Sequence, residues 1–137
     1  MSLYIPDRIL RQMITLAKTE APLEACGLLT GQDNNVTKLY PMTNIDKSPD
    51  HFMMEPEEQF AVVKQMRKEG LKMLGIFHSH PNSPARLSDE DMRLALTPNV
   101  VYVILSLKEQ EKPEIKAFKV DNGKTEEAHL SIIQSCV

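Results

Sequence analysis

The sequence predicts a single α/β domain in which a mixed β-sheet is flanked by helices. Two observations favour this fold class. Apolar runs typical of buried strands alternate with amphipathic helical segments, in the order helix, strands, helix, strand, short helix, strands. The chain has 137 residues, of which 42% are hydrophobic, and this is the size and composition of one compact domain. We therefore assign residues 1–137 to one domain with one core.

The first part of the chain predicts a helix followed by two or three strands. Helical spacing of apolar residues predicts a first helix over about Pro6–Lys18, because proline suits the first helical turn. The glycine-bounded apolar run Cys26–Gly31 is typical of a buried strand. Val36–Met42 is a weaker strand candidate, and after a polar loop Phe52–Met54 is expected to form a short third strand.

The middle of the chain predicts a helix that leads into a central strand. The helix opens at Glu55-Pro56 with acidic residues in its first turn, and Gly70 is placed to end it. Leu71–Phe77 is an almost continuous apolar run, as expected of a strand covered on both faces. The run His78-Ser79-His80-Pro81 stands at the end of this strand, so the polar side chains with catalytic potential lie at a strand terminus.

The last part of the chain predicts one short helix and three strands. A loop from Pro81 to Leu87 precedes a helix that starts at Ser88 and is expected to be closed by Pro98. The strongest strand candidate is the apolar run Val100–Leu105. Two further strands are expected to pair across a turn at residues 121–123, and they cover Lys116–Val120 and Glu127–Ile133.

Charge and composition exclude several classes of function. The chain carries 16 basic and 19 acidic residues, giving a net charge of −3, and it has no basic patch of the kind that nucleic-acid binders use. Its apolar runs are far shorter than the roughly 20 residues that span a bilayer. The N-terminal residues lack the pattern of a secretory signal, which predicts a cytoplasmic protein. Cys26 and Cys136 are then expected to be reduced thiols.

His78 and His80 are the first candidates for metal ligands. Residues two apart on a strand project to the same face, so their imidazoles can converge. A catalytic zinc site takes three protein ligands and a water, and two imidazoles would supply two of them. Without a third ligand, two ordinary histidines in a loop remain the simpler interpretation.

Asp91 is the candidate third ligand, and Ser88 and Glu24 are the candidate catalytic groups. Ser88 and Asp91 are spaced as a helix-capping pair, which explains them without a metal but is compatible with one. Glu24 precedes a strand, where most glutamates face solvent. A hydrolytic metal site nevertheless needs a general base, and a carboxylate close to the metal is a common one.

Together these residues resemble the signature of the JAMM (MPN-plus) zinc metalloprotease family. The elements are Glu24, the run His78-Ser79-His80-Pro81, and then Ser88 and Asp91 in the pattern E…H-S-H-P…S-x-x-D. Seven residues, from Pro81 to Leu87, separate His80 from Ser88, and no position of the signature is missing. The resemblance covers nearly the whole chain and implies an MPN-type domain of cytidine-deaminase-like architecture.

The resemblance also implies a role for each residue. His78, His80 and Asp91 would bind one Zn²⁺ per chain, with water in the fourth position. Glu24 would take a proton from that water and pass it to the leaving amine, and Ser88 would donate a hydrogen bond to the oxyanion. Ser79 and Pro81 are expected only to shape the turn. Outside the signature, Cys26 is expected to be a packed thiol and the histidines His51 and His129 to be ordinary.

The function implied is zinc-dependent hydrolysis of a peptide or isopeptide bond at the C-terminus of a ubiquitin-like or sulfur-carrier protein. Because only 46 residues follow Asp91, a minimal prokaryote-like member acting on a sulfur carrier is favoured. One alternative is a non-catalytic MPN-type scaffold that binds partners. Another is a non-haem iron enzyme, since two histidines and a carboxylate also form the ligand set of iron oxygenases. A zinc nucleobase deaminase fits less well, because its H-x-E and P-C-x-x-C elements are absent.

Overall fold

The computed structural model describes residues 2–134, and over this range the chain forms three helices and seven strands. The helices are α1 (Asp7–Glu20), α2 (Pro56–Lys68) and α3 (Asp89–Leu94). The strands are β1 (Ser2–Pro6), β2 (Cys26–Gln32), β3 (Asn35–Met42), β4 (Lys72–His80), β5 (Val101–Ser106), β6 (Glu114–Asp121) and β7 (Lys124–Ile133). The α/β class predicted from the sequence is confirmed.

The strands form one closed, mixed sheet in the order β1-β3-β2-β4-β5-β6-β7, with β7 pairing back to β1. The central strand β4 is antiparallel to β2 and parallel to β5. The antiparallel β2 pairing places Cys26 opposite His78, so the start of β2 lies beside the end of β4. This register determines where the candidate site residues meet.

Strand β4 separates two apolar clusters, because its successive side chains point to opposite faces. Phe77 packs in the larger cluster with the buried face of α1, including Ile9 and Met13. Ile76 packs in a smaller cluster on the other face, with Tyr102 among its members. His78 and His80 share the parity of Ile76, and they therefore lie on the side of the smaller cluster, away from α1.

The helix end predicted at Gly70 is confirmed, since α2 ends at Lys68 and Gly70 lies in the turn that follows. Gly70 has φ of +70°, a left-handed conformation that glycine adopts at low cost, and nothing lies within 4 Å of the position its Cβ would take. The amide of Leu71 donates to the carbonyl of Met66 at 3.0 Å, as expected where a helix reverses into a following strand. This turn feeds the chain directly into β4.

Three of the predicted elements differ in the structure. Phe52–Met54 is not a strand, because Met54 makes only an isolated bridge to Asn44. Helix α3 ends at Leu94, before Pro98 is reached, and Leu96 beyond it is 81% exposed, so a longer helix would bury no further apolar face. The N-terminal residues form strand β1, where only the start of a helix was expected at Pro6.

No helix within residues 2–134 combines the length and apolar character needed to cross a membrane. Cys26, one of the two cysteines predicted to be reduced, is a buried free thiol. Cys136, the other, lies outside the described residues.

Candidate active site

The end of β4 brings two buried imidazoles together. The Nε2 atoms of His78 and His80 lie 3.1 Å apart, and both side chains are almost fully buried, with 1% and 3% exposure. The predicted apolar run ends at Phe77 with the histidines at the end of the strand, and the structure includes both histidines in β4. Strand alternation therefore holds their side chains on one face more rigidly than a loop would.

Asp91 joins the two histidines from the first turn of α3. Its Oδ1 lies 3.2 Å from His78 Nε2, and its Oδ2 lies 3.0 Å from His80 Nε2. Asp91 also forms the predicted capping box with Ser88: the Asp91 amide donates to Ser88 Oγ, and the Ser88 amide donates to Asp91 Oδ2, both at 3.0 Å. Asp91 is therefore both a helix-capping residue and a neighbour of the two histidines, because the capping box fixes the direction of its carboxylate.

The donor atoms of this cluster fit a metal ion. His80 Nδ1 lies 2.9 Å from the carbonyl of Pro84, which can only accept, so Nδ1 carries the hydrogen and Nε2 presents its lone pair. His78 Nε2 and the Asp91 carboxylate converge on the same point, and the ligand atoms of the three residues all lie within 4.8 Å of one another. Three electron-pair donors so close repel unless a cation lies among them, and this donor set suits zinc.

The protonation states of Asp91 and His78 also favour cation binding, whereas at His80 burial is outweighed by the contacts with Asp91 and Pro84, which raise the pKa of that imidazole. Burial alone would raise the pKa of Asp91, but the adjacent imidazoles of His78 and His80 and the hydrogen bond from the Ser88 amide outweigh it and hold that pKa well below its usual range. Burial lowers the pKa of His78, which keeps that imidazole neutral. An ionised carboxylate and a neutral imidazole are the forms in which these side chains bind metals.

Glu24 is buried beside this cluster, although most glutamates in its position would face solvent. It is 2% exposed, and its Oε1 has no hydrogen-bond partner among residues 2–134. Burial is the main cause that raises the pKa of Glu24 to about 8; the charge of His80 opposes the shift, and the charges of Asp91 and Asp50 add to it. The carboxyl group can thus hold or release a proton near neutral pH, as a general acid–base requires.

Ser79 fixes Glu24 relative to the histidines, a role that the sequence did not predict. The amide of Ala25 donates to Ser79 Oγ at 2.7 Å, and the amide of Ser79 donates to the carbonyl of Ala25 at 2.9 Å. Ser79 is fully buried and lies between the two histidines on β4. This double link joins the residue after Glu24 to the middle of the H-S-H run, so the serine does more than shape a turn.

Substitution of Ser79 by alanine is expected to destabilise the protein by about 1–3 kcal/mol, because the Ala25 amide would lose its buried acceptor. Thermal and urea unfolding would measure this loss. Ser131→Ala is the matched control, since Ser131 is only half-buried on β7, which pairs with neither β2 nor β4, and its hydroxyl contacts the exposed His129. Equal stability of the two variants would contradict the role of Ser79.

The residues predicted to be ordinary occupy three different settings. Cys26 is packed in the core, and burial raises the pKa of its thiol to about 12, so it is a poor nucleophile. His129 lies on β7 beside Ser131, away from β4. His51 lies closer to the site than expected: it pairs with Asp46 at 3.0 Å and borders a small cavity shared with His78.

An apolar depression extends from the cluster. Phe52 stacks on the imidazole of His78, with ring centroids 4.7 Å apart and planes inclined by 25°. It also lines a cavity of about 210 Å³ with Met53, Leu94 and Tyr102. Met53 and Leu94 are 51% and 44% exposed. The approach to His78 is therefore shaped mainly by apolar side chains.

Comparison with known proteins places all five candidate residues inside a family match. The model of the family described as prokaryotic homologs of the JAB domain matches residues 6–121. The chain is 28% identical over 134 residues to a CysO-cysteine peptidase of Mycobacterium tuberculosis, covering 96% of this chain and 92% of that protein. It is 33% identical over 117 residues to a desampylase of Pyrococcus furiosus, covering 85% of this chain and 80% of the relative.

Solved structures share the fold. A protein of Desulfitobacterium hafniense, determined in solution, is 42% identical with a TM-score of 0.89 and covers 98% of this chain and 94% of its own. A structure described as a JAMM metalloprotease-like zinc site in the proteasome and signalosome has a TM-score of 0.63 at 22% identity, covering 97% of this chain and 99% of its own. At that identity the likeness is one of fold.

Proposed function

Because this chain belongs to the JAMM (MPN-plus) family, among its prokaryotic JAB-domain members, we propose that it is a zinc-dependent peptidase. Its substrate would be a peptide or isopeptide bond at the C-terminus of a ubiquitin-like or sulfur-carrier protein. The observation that carries this proposal is the convergence of His78, His80 and Asp91 beside the buried carboxyl group of Glu24, whose Oε1 has no hydrogen-bond partner within residues 2–134.

His78, His80 and Asp91 would hold one zinc ion per chain. Their donor atoms fit the two-imidazole, one-carboxylate set that catalytic zinc sites use. A bound zinc ion would lower the pKa of a water molecule to about 7 and polarise the carbonyl of the scissile bond. The hydrogen bond from His80 Nδ1 to Pro84 supports this role, because it fixes the orientation of the imidazole.

Glu24 would move the proton of the reaction. One of its carboxylate oxygens would accept a proton from the attacking water while the hydroxyl adds to the carbonyl carbon. The same oxygen would give the proton to the leaving nitrogen as the C–N bond breaks. Its raised pKa, about 8, suits both steps, because both the protonated and the ionised form of the carboxyl group are then populated near neutral pH.

Ser88 would stabilise the negative charge that develops on the carbonyl oxygen. Its Oγ accepts a hydrogen bond from the Asp91 amide, which leaves the hydroxyl hydrogen available to donate. The capping box with Asp91 holds Ser88 in place, so little reorganisation is needed during the reaction.

The substrate class is supported by the relatives. A CysO-cysteine peptidase, two desampylases and a probable TtuB-protein conjugate cleaving protease are among them. The chain covers 92% and 80% of the first two named, so it matches them over most of their lengths. The apolar depression beside His78 is suited to an extended protein tail, which a small peptidase of this kind must bind.

Metal removal gives the direct test. Purified protein is expected to contain about one zinc per chain. It should hydrolyse a ubiquitin-like protein that carries a C-terminal extension after Gly-Gly, and intact mass would record the product. A chelator should abolish hydrolysis, and added zinc should restore it, because the reaction depends on the metal.

The two alternatives give different results in the same experiment. Purified protein that neither contains nor takes up metal would favour a non-catalytic scaffold. Iron in place of zinc, with chemistry that consumes oxygen, would favour a non-haem iron enzyme. Hydrolysis that is unaffected by the chelator would exclude a metal-dependent mechanism.

A further inference from the structure

A second cavity, separate from the apolar depression, borders the candidate active site. It has a volume of about 440 Å³, within the range of small-ligand sites. His80 and Ser88 contribute to its wall, together with Arg86 and Asp89 from the loop and the start of α3. The cavity therefore opens directly onto two residues assigned to the proposed reaction, and its other charged groups face the same space.

Arg86 has no anionic partner in the described part of the chain. No carboxylate lies within 4.0 Å of its guanidinium group, and no hydrogen bond from that group is formed within residues 2–134. Arg93, by contrast, pairs with Glu90 at 2.7 Å. Asp89 lines the same cavity without pairing with Arg86. The cavity thus presents one cation and one anion, both available to a ligand.

The backbone that carries Arg86 is tied to the metal ligand His80. The carbonyl of Pro84 accepts hydrogen bonds from His80 Nδ1 and from the Arg86 amide, each at 2.9 Å. The neighbouring carbonyl of Ser83 accepts from Ser106 Oγ at 2.6 Å, which anchors the loop to β5. A ligand bound to Arg86 would therefore lie at a defined distance from His80, as a substrate subsite requires.

We propose that Arg86 binds the free α-carboxylate of a single amino acid that leaves from the substrate's C-terminus. This inference rests on the proposed peptidase function and specifies its leaving group. A guanidinium binds a carboxylate through two parallel hydrogen bonds. Asp89 in the same cavity suits the amino group that is freed when the C–N bond breaks, which becomes an ammonium group when it takes one proton from Glu24 and a second from the newly formed carboxylic acid. Together the two side chains match the opposite charges of the released amino acid.

The same charges disfavour an isopeptide leaving group. A lysine side chain within a folded protein brings no carboxylate close to the scissile bond, so the exposed guanidinium of Arg86 would gain no partner from it. The geometry therefore points to a preference for amino-acid adducts of the carrier protein over lysine conjugates.

Peptide binding tests the proposal without relying on turnover. The probes are two peptides ending in Gly-Gly-Ala, one with a free C-terminal carboxylate and one with a carboxamide. Their dissociation constants are measured by NMR titration of zinc-loaded Glu24→Gln protein, in which the proposed base is removed. The free acid is expected to bind about threefold to fivefold more tightly, because Arg86 is exposed and an exposed guanidinium–carboxylate pair contributes less than one factor of ten.

The double variant Glu24→Gln, Arg86→Gln should lose this preference, whereas the control Glu24→Gln, Arg93→Gln should keep it, since Arg93 does not line the cavity. Equal binding of the two peptides to the parent protein, or binding of neither, would overturn the proposal. A preference that survives Arg86→Gln would overturn it as well. Wild-type hydrolysis of the carrier protein is measured separately, so loss of the carboxylate preference is distinguishable from failure of the peptidase assignment.

Discussion

Replacement of Glu24 by glutamine is expected to leave zinc bound and to lower kcat by about 100-fold or more. Glutamine keeps the shape of the side chain but cannot accept the proton of the attacking water. Glu24 is not one of the three converging donors, so metal content should not change. Steady-state hydrolysis and metal analysis on the same sample would measure both quantities.

Glu20→Gln is the matched control for this variant. Glu20 ends α1 and is exposed, so the substitution removes a carboxylate without touching the cluster. Its kcat should equal that of the wild type. Retained hydrolysis in Glu24→Gln would exclude Glu24 as the base, and loss of zinc would assign it a structural role.

A second readout of Glu24→Gln is the pH dependence of stability in the metal-free protein. The pKa of Glu24 is raised from 4.5 to about 8 by burial and by the charges of Asp91 and Asp50, against that of His80. Its contribution to stability is therefore fully present below about pH 4.5 and is lost as the pH rises towards 8. Glutamine has no such dependence. The difference in free energy of unfolding between variant and wild type should then grow in favour of the variant over this window, by a few kcal/mol at most.

Replacement of Asp91 by alanine is expected to abolish zinc binding and hydrolysis together. The variant loses one of the three donors and also leaves the Ser88 amide without its acceptor. Two imidazoles alone bind zinc weakly, because catalytic sites depend on three protein ligands. Metal analysis after dialysis would show the loss, and wild-type zinc content would rule out Asp91 as a ligand.

Two further variants separate metal binding from helix capping. Asp91→Asn retains an oxygen that can accept from the Ser88 amide but removes the negative charge, so α3 should persist while zinc affinity falls. Glu90→Gln, one residue away, removes a half-buried carboxylate that pairs with Arg93 and with no other side chain within residues 2–134, and this variant should keep its zinc. Circular dichroism and metal content, measured on both, would distinguish a lost ligand from a lost helix.

Local sequence patterns predicted most of the elements but not the closure of the sheet. Helix α2, strand β4 and strand β5 are signalled by capping residues, a terminal glycine and long apolar runs. Strand β1 is only five residues long, and its partner β7 lies at the other end of the chain. The alternation of the apolar residues Leu3 and Ile5 with more exposed neighbours is the one local pattern that indicates β1. The pairing of β1 with β7 cannot be predicted from local sequence, because the two strands lie at opposite ends of the chain.

The candidate site was predictable to the extent that it depends on short spacings. Strand alternation brings His78 and His80 together, and the capping box orients Asp91, so three positions follow from local geometry. The burial of Glu24 does not, because it depends on the hydrogen bonds between Ala25 and Ser79, which are 54 residues apart. Only the resemblance to the family selected Glu24 from the sequence, and Arg86 carried no signal at all.

The ring of strands closes between β1 and β3 through one residue pair, Tyr4 with Asn35. Beyond Asn35, β3 is paired on one side only, with β2, so its other edge along residues 36–42 has no strand partner within residues 2–134. Many peptide-binding proteins extend such an edge with a strand from their ligand. In this sheet the strands β4 and β5 have neighbours on both sides, so any added strand is confined to the gap between β1 and β3.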